Sequence, residues 1–583
     1  MLKKERLTFI LIFLFSIFFL IFYYFSCFLG DFIGMDAMVY GDISRNILLH
    51  HEFYTKWIPY PLNVLNRYDE IPSVIFLNLP PLYCLVNAIF FNFLGISFNT
   101  MKIMNIFFSS LSIILTFLIC KWIDFKSDYV AFLACFLLGT NTLFIYHSIH
   151  PGNEILSVFF VLMMYLFWIK STGTLGGILA GFLCGLAFLT RYENGIIAFF
   201  CILICGYYNL VSSPNSHLKR KNNSWIKNFV FVVGFIFILI PFFIYNNYIH
   251  DKGLILPLQT LNLDFISFDL TQILVLSIYA ILFVITSSKI LLCKFIDSRI
   301  IHLMQMGFYI STTISIILSC ISGQLEFLSK YGRLFIIFAI LGLFVSIRDK
   351  NRKQKFYFPI IYLSMTLLFY SLITLVFGKT MDVRYFISIF PFLSILSSFG
   401  IKALMQKFSN SVSRPFLISI IIVIVLTSSP LYATLTNSIG IKQGPFKPKN
   451  WDLAIDWIKE NTSQNDTFLS IWPNPVFYAD RRTIALHPLR IYVNNSELFT
   501  ILREGNVSYL IIDQDAYYIF NNPLIKNLYE YPGNQRGFKL IFSAENPKIL
   551  IYDTTFWTSN QSIYKPTRGG LETPKNRGKS KFS

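Results

Sequence analysis

Apolar runs close to the length of a bilayer-crossing helix, about 20 residues, recur from the N-terminus to about residue 436. They fall at about 7–29, 80–97, 103–122, 128–147, 154–170, 173–190, 194–211, 228–249, 271–293, 303–322, 331–347, 356–377, 384–404 and 415–436. A chain built this way cannot hide its apolar surface in one water-soluble core. The composition agrees: only 14% of the residues are charged, against roughly a quarter in soluble domains. The sequence therefore predicts a polytopic α-helical membrane protein.

The distribution of charge sets the expected topology. The net charge of +18 would suggest nucleic acid in a soluble protein, but here Lys and Arg collect in short loops, as cytoplasmic retention of positive charge requires. Lys3, Lys4 and Arg6 place the N-terminus inside, and the long aromatic run after them, with no small-residue cleavage site, reads as an uncleaved span. The segment at 80–97 is short and opens with Pro80-Pro81, so it is read as an interfacial helix rather than a crossing. With that choice the basic connections around Lys121, Lys170, Lys219, Lys294, Arg348 and Lys402 all fall inside, giving about thirteen crossings. The loop at 30–79 and everything after the last span then lie outside.

Beyond residue 440 the character changes. Residues 440–556 read as an extracytoplasmic α/β domain, with a helix over 451–461 whose apolar face is Leu453, Ile455, Trp457 and Ile458. Strands are expected at 467–471, 507–512, 538–542 and 549–552. Residues 557–583 are basic, polar and rich in Gly and Pro, the composition of a disordered tail. All nine cysteines precede residue 321, so the exported domain must fold without disulfides. No paired-Cys zinc pattern occurs.

The chemistry-bearing stretch is 34–49, beside the first span. If it is helical, Asp36 and Tyr40 share a face, and Asp42 and Arg45 sit at i,i+3, close enough to pair. The bland alternative is an interfacial amphipathic helix with solvated charges. A second acid, Glu154, opens a later span on the same side, and ionisable groups at such depth usually have a partner or a task. Arg191, Lys330, Arg333, Lys379 and Arg384 lie at the outer ends of separate spans, an arrangement suited to an anionic head group. Lys330 and Lys379 read more simply as snorkelling anchors. His150 and Glu154 would form an i,i+4 metal-type pair if helical, which is two ligands and not a site. A divalent metal therefore stays open.

Asp36-Ala37-Met38-Val39-Tyr40-Gly41-Asp42-Ile43-Ser44-Arg45-Asn46-Ile47-Leu48 resembles the first-loop motif of GT-C-fold glycosyltransferases that use polyprenyl-phosphate sugars, in particular glycosyltransferase family 39. Further matches follow in chain order. Leu79-Pro80-Pro81-Leu82 is similar to the family's Lys-Pro-Pro-Leu, and His150 to Leu156 to its acidic second-loop segment. Gly185-Leu186-Ala187-Phe188-Leu189-Thr190-Arg191 and Arg384-Tyr385 with Pro391 are similar to two later motifs. Three positions depart from the pattern: Ala37 stands for Glu, Leu79 for Lys and Glu154 for Asp.

The resemblance implies a GT-C-like membrane domain over 1–436 and sugar transfer at the outer face of a bacterial or archaeal plasma membrane. The donor would be a polyprenyl-phosphate-linked sugar, the acceptor a lipid, glycan or protein, and no nucleic acid would be involved. Asp36 would be the general base, with Glu154 as second catalytic acid residue. Tyr40, Asp42, Arg45, His150, Arg191, Arg333, Arg384 and Tyr385 would bind substrate. Two other classes fit the spans: a transporter or flippase, although no paired inverted halves stand out, and a non-catalytic assembly subunit.

Overall fold

A computed structural model describes residues 35–60, 80–211, 218–250, 337–345, 353–377, 383–408, 450–486, 495–519 and 522–559, apart from isolated positions within them, and a few positions between 10 and 21. The expected segments at 271–293, 303–322 and 415–436, with Lys330, Arg333, Lys379 and most of the tail, lie outside the described residues. The chain divides into two compact units, 1–55 with 75–447, and 56–74 with 448–583.

The first unit is helical. Its elements are α1 (Met35–His50), α2 (Pro81–Leu94), α3 (Phe98–Ile123), α4 (Asp128–Gly139), α5 (Thr142–Ile149), α6 (Glu154–Lys170), α7 (Thr174–Thr190), α8 (Tyr192–Val211), α9 (Leu218–His250), α10 (Lys353–Phe377) and α11 (Phe390–Phe408). A 3₁₀ turn over Val383–Ile389 leads into α11. Local chemistry sets several ends. Pro81 occupies the first turn of α2, where its missing N–H costs nothing. Gly95 closes that helix at φ 85°, a conformation open to glycine. Ser97 caps α3 by accepting from the Thr100 N–H at 3.1 Å.

Among the described residues two helices are long and apolar enough to cross a membrane, Phe98–Ile123 and Arg384–Lys407. The segment expected as one span at 128–147 is instead two helices bent by 64°. Asn141 causes the break: its side chain accepts from the Phe144 N–H at 3.0 Å and starts a new helix.

Glycine brings α7 and α9 together. Gly177, Gly181 and Gly185 recur every fourth residue on α7, and a Cβ at Gly177 would stand 2.7 Å from the Lys227 carbonyl oxygen. A Cβ at Gly181 would run into the Phe231 backbone, and one at Gly234 on α9 into the Ile178 carbonyl. Small residues on both faces permit this backbone-to-backbone contact, the usual way apolar helices gain packing where burial from water offers little.

The second unit contains a six-stranded mixed sheet in the order β1-β3-β2-β4-β6-β5. The strands are β1 (Trp57–Tyr60), β2 (Thr467–Ser470), β3 (Arg482–Leu486), β4 (Tyr509–Ile512), β5 (Lys539–Ala544) and β6 (Ile549–Asp553). The first four in the order are parallel, while β6 runs antiparallel to both β4 and β5. Helix α12 (Asn450–Asn461) packs on this sheet through Trp451, Ala454, Ile455 and Ile458, joined by Phe468, Ile511, Ile549 and Ile551. Leu453, expected on the inner face, is 57% exposed, because the 3.6-residue period carries it to the opposite side of 451, 454, 455 and 458. The strand from the first loop, β1, is not legible in the sequence, because Pro59 suppresses the strand signal; a proline is tolerated at a sheet edge, where β1 sits.

Candidate functional site

In α1 the residues from Ala37 to Arg45 are almost wholly buried, while Asp36 in the first turn remains exposed. An acidic residue in that turn complements the positive end of the helix. The Asp36 side chain is 52% exposed and pairs with Arg384, itself 35% exposed, from the 3₁₀ turn before α11. One helical turn on, Tyr40 is 6% exposed and its hydroxyl oxygen accepts from Asn153 Nδ2 at 3.0 Å. Burial, then the Asp36 and Glu154 carboxylates, hold the Tyr40 phenol well above its ordinary range, so it stays protonated.

The i,i+3 pair anticipated in α1 is present. Arg45 binds Asp42, and the other Asp42 oxygen accepts from Thr55 Oγ1 at 2.6 Å. Asn46 donates to the Tyr54 carbonyl at 3.0 Å. These contacts fold the chain after His51, which takes φ 60°, back along the helix. Asp42 is thus engaged by Arg45 and Thr55.

The second cluster forms around Glu154, the first residue of α6. Arg191 donates to Glu154 at 3.1 Å and to Glu193 at 2.7 Å, with the Arg191 and Glu154 side chains only 6% and 7% exposed. Tyr385 ties the two clusters together, its ring lying 4.7 Å from the Arg191 guanidinium carbon and 5.5 Å from that of Arg384. Two acids and two guanidinium groups thus converge around one aromatic ring.

His150 and Glu154 do not share a helical face. His150 ends α5 in an extended conformation and Glu154 opens the next helix. The closer imidazole is His147, whose Nδ1 is 4.0 Å from Glu154. Burial, then His147, push His150 down to about 4 against the opposing influence of Glu154 and Asp36, so it is neutral at pH 7. The turn between the helices is held by Asn105 of α3, which donates to the carbonyls of His150 at 2.6 Å and Gly152 at 3.2 Å.

Several residues of this neighbourhood were not singled out from sequence: Asn105, Asn153, Glu193, Thr55 and Lys102, a lysine only 5% exposed whose charge acts on His150. A polar residue inside or at the mouth of an apolar run was the signal available for Lys102, Asn105 and Asn153. Of the predicted residues the structure brings Asp36, Tyr40, Glu154, Arg191, Arg384 and Tyr385 together. Arg333 lies outside the described residues.

No family model matches the sequence, and no curated protein does. Solved structures do. The archaeal oligosaccharyltransferase AglB from Archaeoglobus fulgidus, in complex with an inhibitory peptide and a dolichol-phosphate, is similar at 13% identity with a TM-score of 0.54, covering 93% of this chain and 74% of that one. ArnT from Cupriavidus metallidurans bound to undecaprenyl phosphate is similar at 11% identity with a TM-score of 0.53, covering 94% and 98%. The likeness is one of fold: a helical membrane-type body followed by a C-terminal mixed sheet, the architecture of GT-C proteins.

The Archaeoglobus enzyme has also been solved with Zn and sulfate. Here Asp36 is engaged by Arg384 and Glu154 by Arg191. Among the described residues no three His, Cys, Asp or Glu side chains come together to hold a metal ion. The described side chains at Asp36 and Glu154 thus hold guanidinium partners and do not by themselves compose a metal site.

Proposed function

We propose that this protein is a membrane glycosyltransferase of the family 39 type, moving a sugar from a polyprenyl-phosphate donor to a hydroxyl or amine on the outer face of the membrane. The observation that carries the reading is the Asp36–Arg384 pair beside Tyr385 and Arg191. It joins a candidate base to a candidate phosphate ligand in a partly open position, within a fold shared with proteins that bind polyprenyl phosphates. The reading includes about thirteen crossings, an inner N-terminus and an extracytoplasmic C-terminal domain.

An ion pair exposed to this degree is worth about 0–1 kcal/mol. A donor phosphate, offering two oxygens to the planar guanidinium, can therefore draw Arg384 away at little cost. That frees the Asp36 oxygen to accept the proton of the acceptor O–H or N–H. The acceptor atom attacks the anomeric carbon, the bond from that carbon to the phosphate oxygen breaks, and the polyprenyl phosphate leaves with the electron pair. Arg384, with Arg191 behind Tyr385, stabilises the charge gained by the leaving group. Attack opposite the phosphate inverts the anomeric centre.

Purified protein incubated with radiolabelled undecaprenyl-phosphate sugars and lipid, glycan or peptide acceptors tests this reading. Transfer by the wild type that is lost in Asp36→Asn supports it. Transfer unaffected by that change, or no transfer with any donor, removes it.

A further inference from the structure

Asn153, at the end of the turn between α5 and α6, is 7% exposed and spends both hydrogens of its carboxamide on other elements. One goes to the Tyr40 hydroxyl on α1 at 3.0 Å, the other to the Thr190 carbonyl at the end of α7 at 3.0 Å. A phenol oxygen has one proton to give and two lone pairs to receive with. With an Asn153 hydrogen on that oxygen, the Tyr40 hydrogen is left to be donated elsewhere. The Tyr40 ring cannot swing away, because the ring of Tyr83 meets it edge-on at 5.0 Å. The Ser44 hydroxyl one turn on is itself engaged, donating to the Tyr40 carbonyl at 2.6 Å and accepting from Asn87 at 3.0 Å.

We infer that Asn153 is a positioning residue: by donating to the Tyr40 oxygen it orients the phenol as a permanent hydrogen-bond donor toward the Asp36–Glu154 side, where an oxygen of the sugar donor is received. The inference rests on the transfer reaction proposed above. Its sharpest consequence concerns direction. An aspartate of the same shape has no hydrogen to give, so in Asn153→Asp the phenol donates to the new carboxylate and is turned away from substrate.

A double-mutant cycle on the full-length protein tests this. Tyr40→Phe and Asn153→Asp should each lower kcat for transfer from an undecaprenyl-phosphate sugar by about 10–100-fold. Adding Asn153→Asp to Tyr40→Phe should then cost less than about twofold. Asn153→Ser, which keeps one donor hydrogen, should fall between wild type and Asn153→Asp and likewise be silent in the Tyr40→Phe background. Losses that multiply would show that Asn153 acts independently of Tyr40 and would overturn the inference.

A readout without turnover separates this from the fate of the proposed reaction. The infrared difference spectrum between wild type and Tyr40→Phe isolates the phenol C–O stretch. It should report a hydroxyl that accepts as well as donates in the wild type, and one that only donates in Asn153→Asp. An unchanged band overturns the role of Asn153 even if transfer is observed. A wild type without transfer but with the shifted band leaves the Asn153–Tyr40 arrangement standing and removes the reaction.

Discussion

Arg384 and Asp36 form an ion pair across 348 positions of sequence, joining the turn before α11 to the first turn of α1. Both partners keep contact with solvent, so the pair contributes little to stability and can open for a ligand.

Exchanging the charges tests what the pair is for. Asp36→Asn should lower transfer by about 10²–10⁴-fold, the usual contribution of a general base, with membrane insertion unchanged. The double variant Asp36→Arg with Arg384→Asp restores an ion pair but puts neither group where the chemistry needs it. It should remain as inactive as Asp36→Asn in the radiolabel assay; recovery of activity would make the pair purely structural.

Arg191 should behave differently, because it and Glu154 are buried and Glu193 is partly so. Removing it as Arg191→Ala strands Glu154 beside Glu193 with no cation between them, a situation that costs about 3–5 kcal/mol. Glu154→Gln leaves Arg191 still paired with Glu193 and should cost clearly less. Thermal unfolding of the detergent-solubilised variants checks the ranking, and equal losses would contradict it.

Acid should loosen the 147–154 turn. The folded state holds His150 at about 4, below the ordinary value near 6.5, so the unfolded chain binds its proton more tightly. The contribution is therefore fully present above about pH 6.5 and is lost as pH falls toward 4, on the order of 2–3 kcal/mol at the lower end. His150→Asn should flatten the fall in unfolding midpoint over that window; an unchanged profile would place the acid sensitivity elsewhere.

The α7–α9 contact has no room for side chains. Gly181→Leu should separate the helices and destabilise the protein by about 1–3 kcal/mol or more, seen as a lower unfolding midpoint. Gly173, where a Cβ meets nothing within 4 Å, is the matched control, and Gly173→Ala should be nearly silent.

The sequence made periodic features legible and left coordinated ones hidden. Asp42 and Arg45 are three residues apart on one helix, so helical geometry alone brings them together. Arg384 could be assigned only to the outer side shared with Asp36, by the alternation of spans and basic loops, since nothing local links the two. Asn153 escaped notice because its partners, Tyr40 and Thr190, belong to other helices, and an asparagine before a helix reads as an ordinary cap. The His150–Glu154 spacing would share a face only in a helix, and Pro151 and Gly152 make a turn there instead. In the second unit β2, β4, β5 and β6 followed from their apolar runs, whereas β3 and β1 draw their identity from pairing with a neighbour.

The pairing of β1 with β3 has a consequence for how the protein is made. Lys56 bonds to Asp480 at 2.7 Å although 424 positions separate them. At about 5–20 residues per second of synthesis, roughly 20–85 s pass between the emergence of the two. During that interval the first-loop segment has no partner from its own sheet. Pro59 withholds one N–H from any strand that approaches, which makes the waiting segment a poor template for mistaken pairing. Completion of the sheet is therefore a late event of synthesis: β1 finds its neighbour only after the chain has been translated past β3.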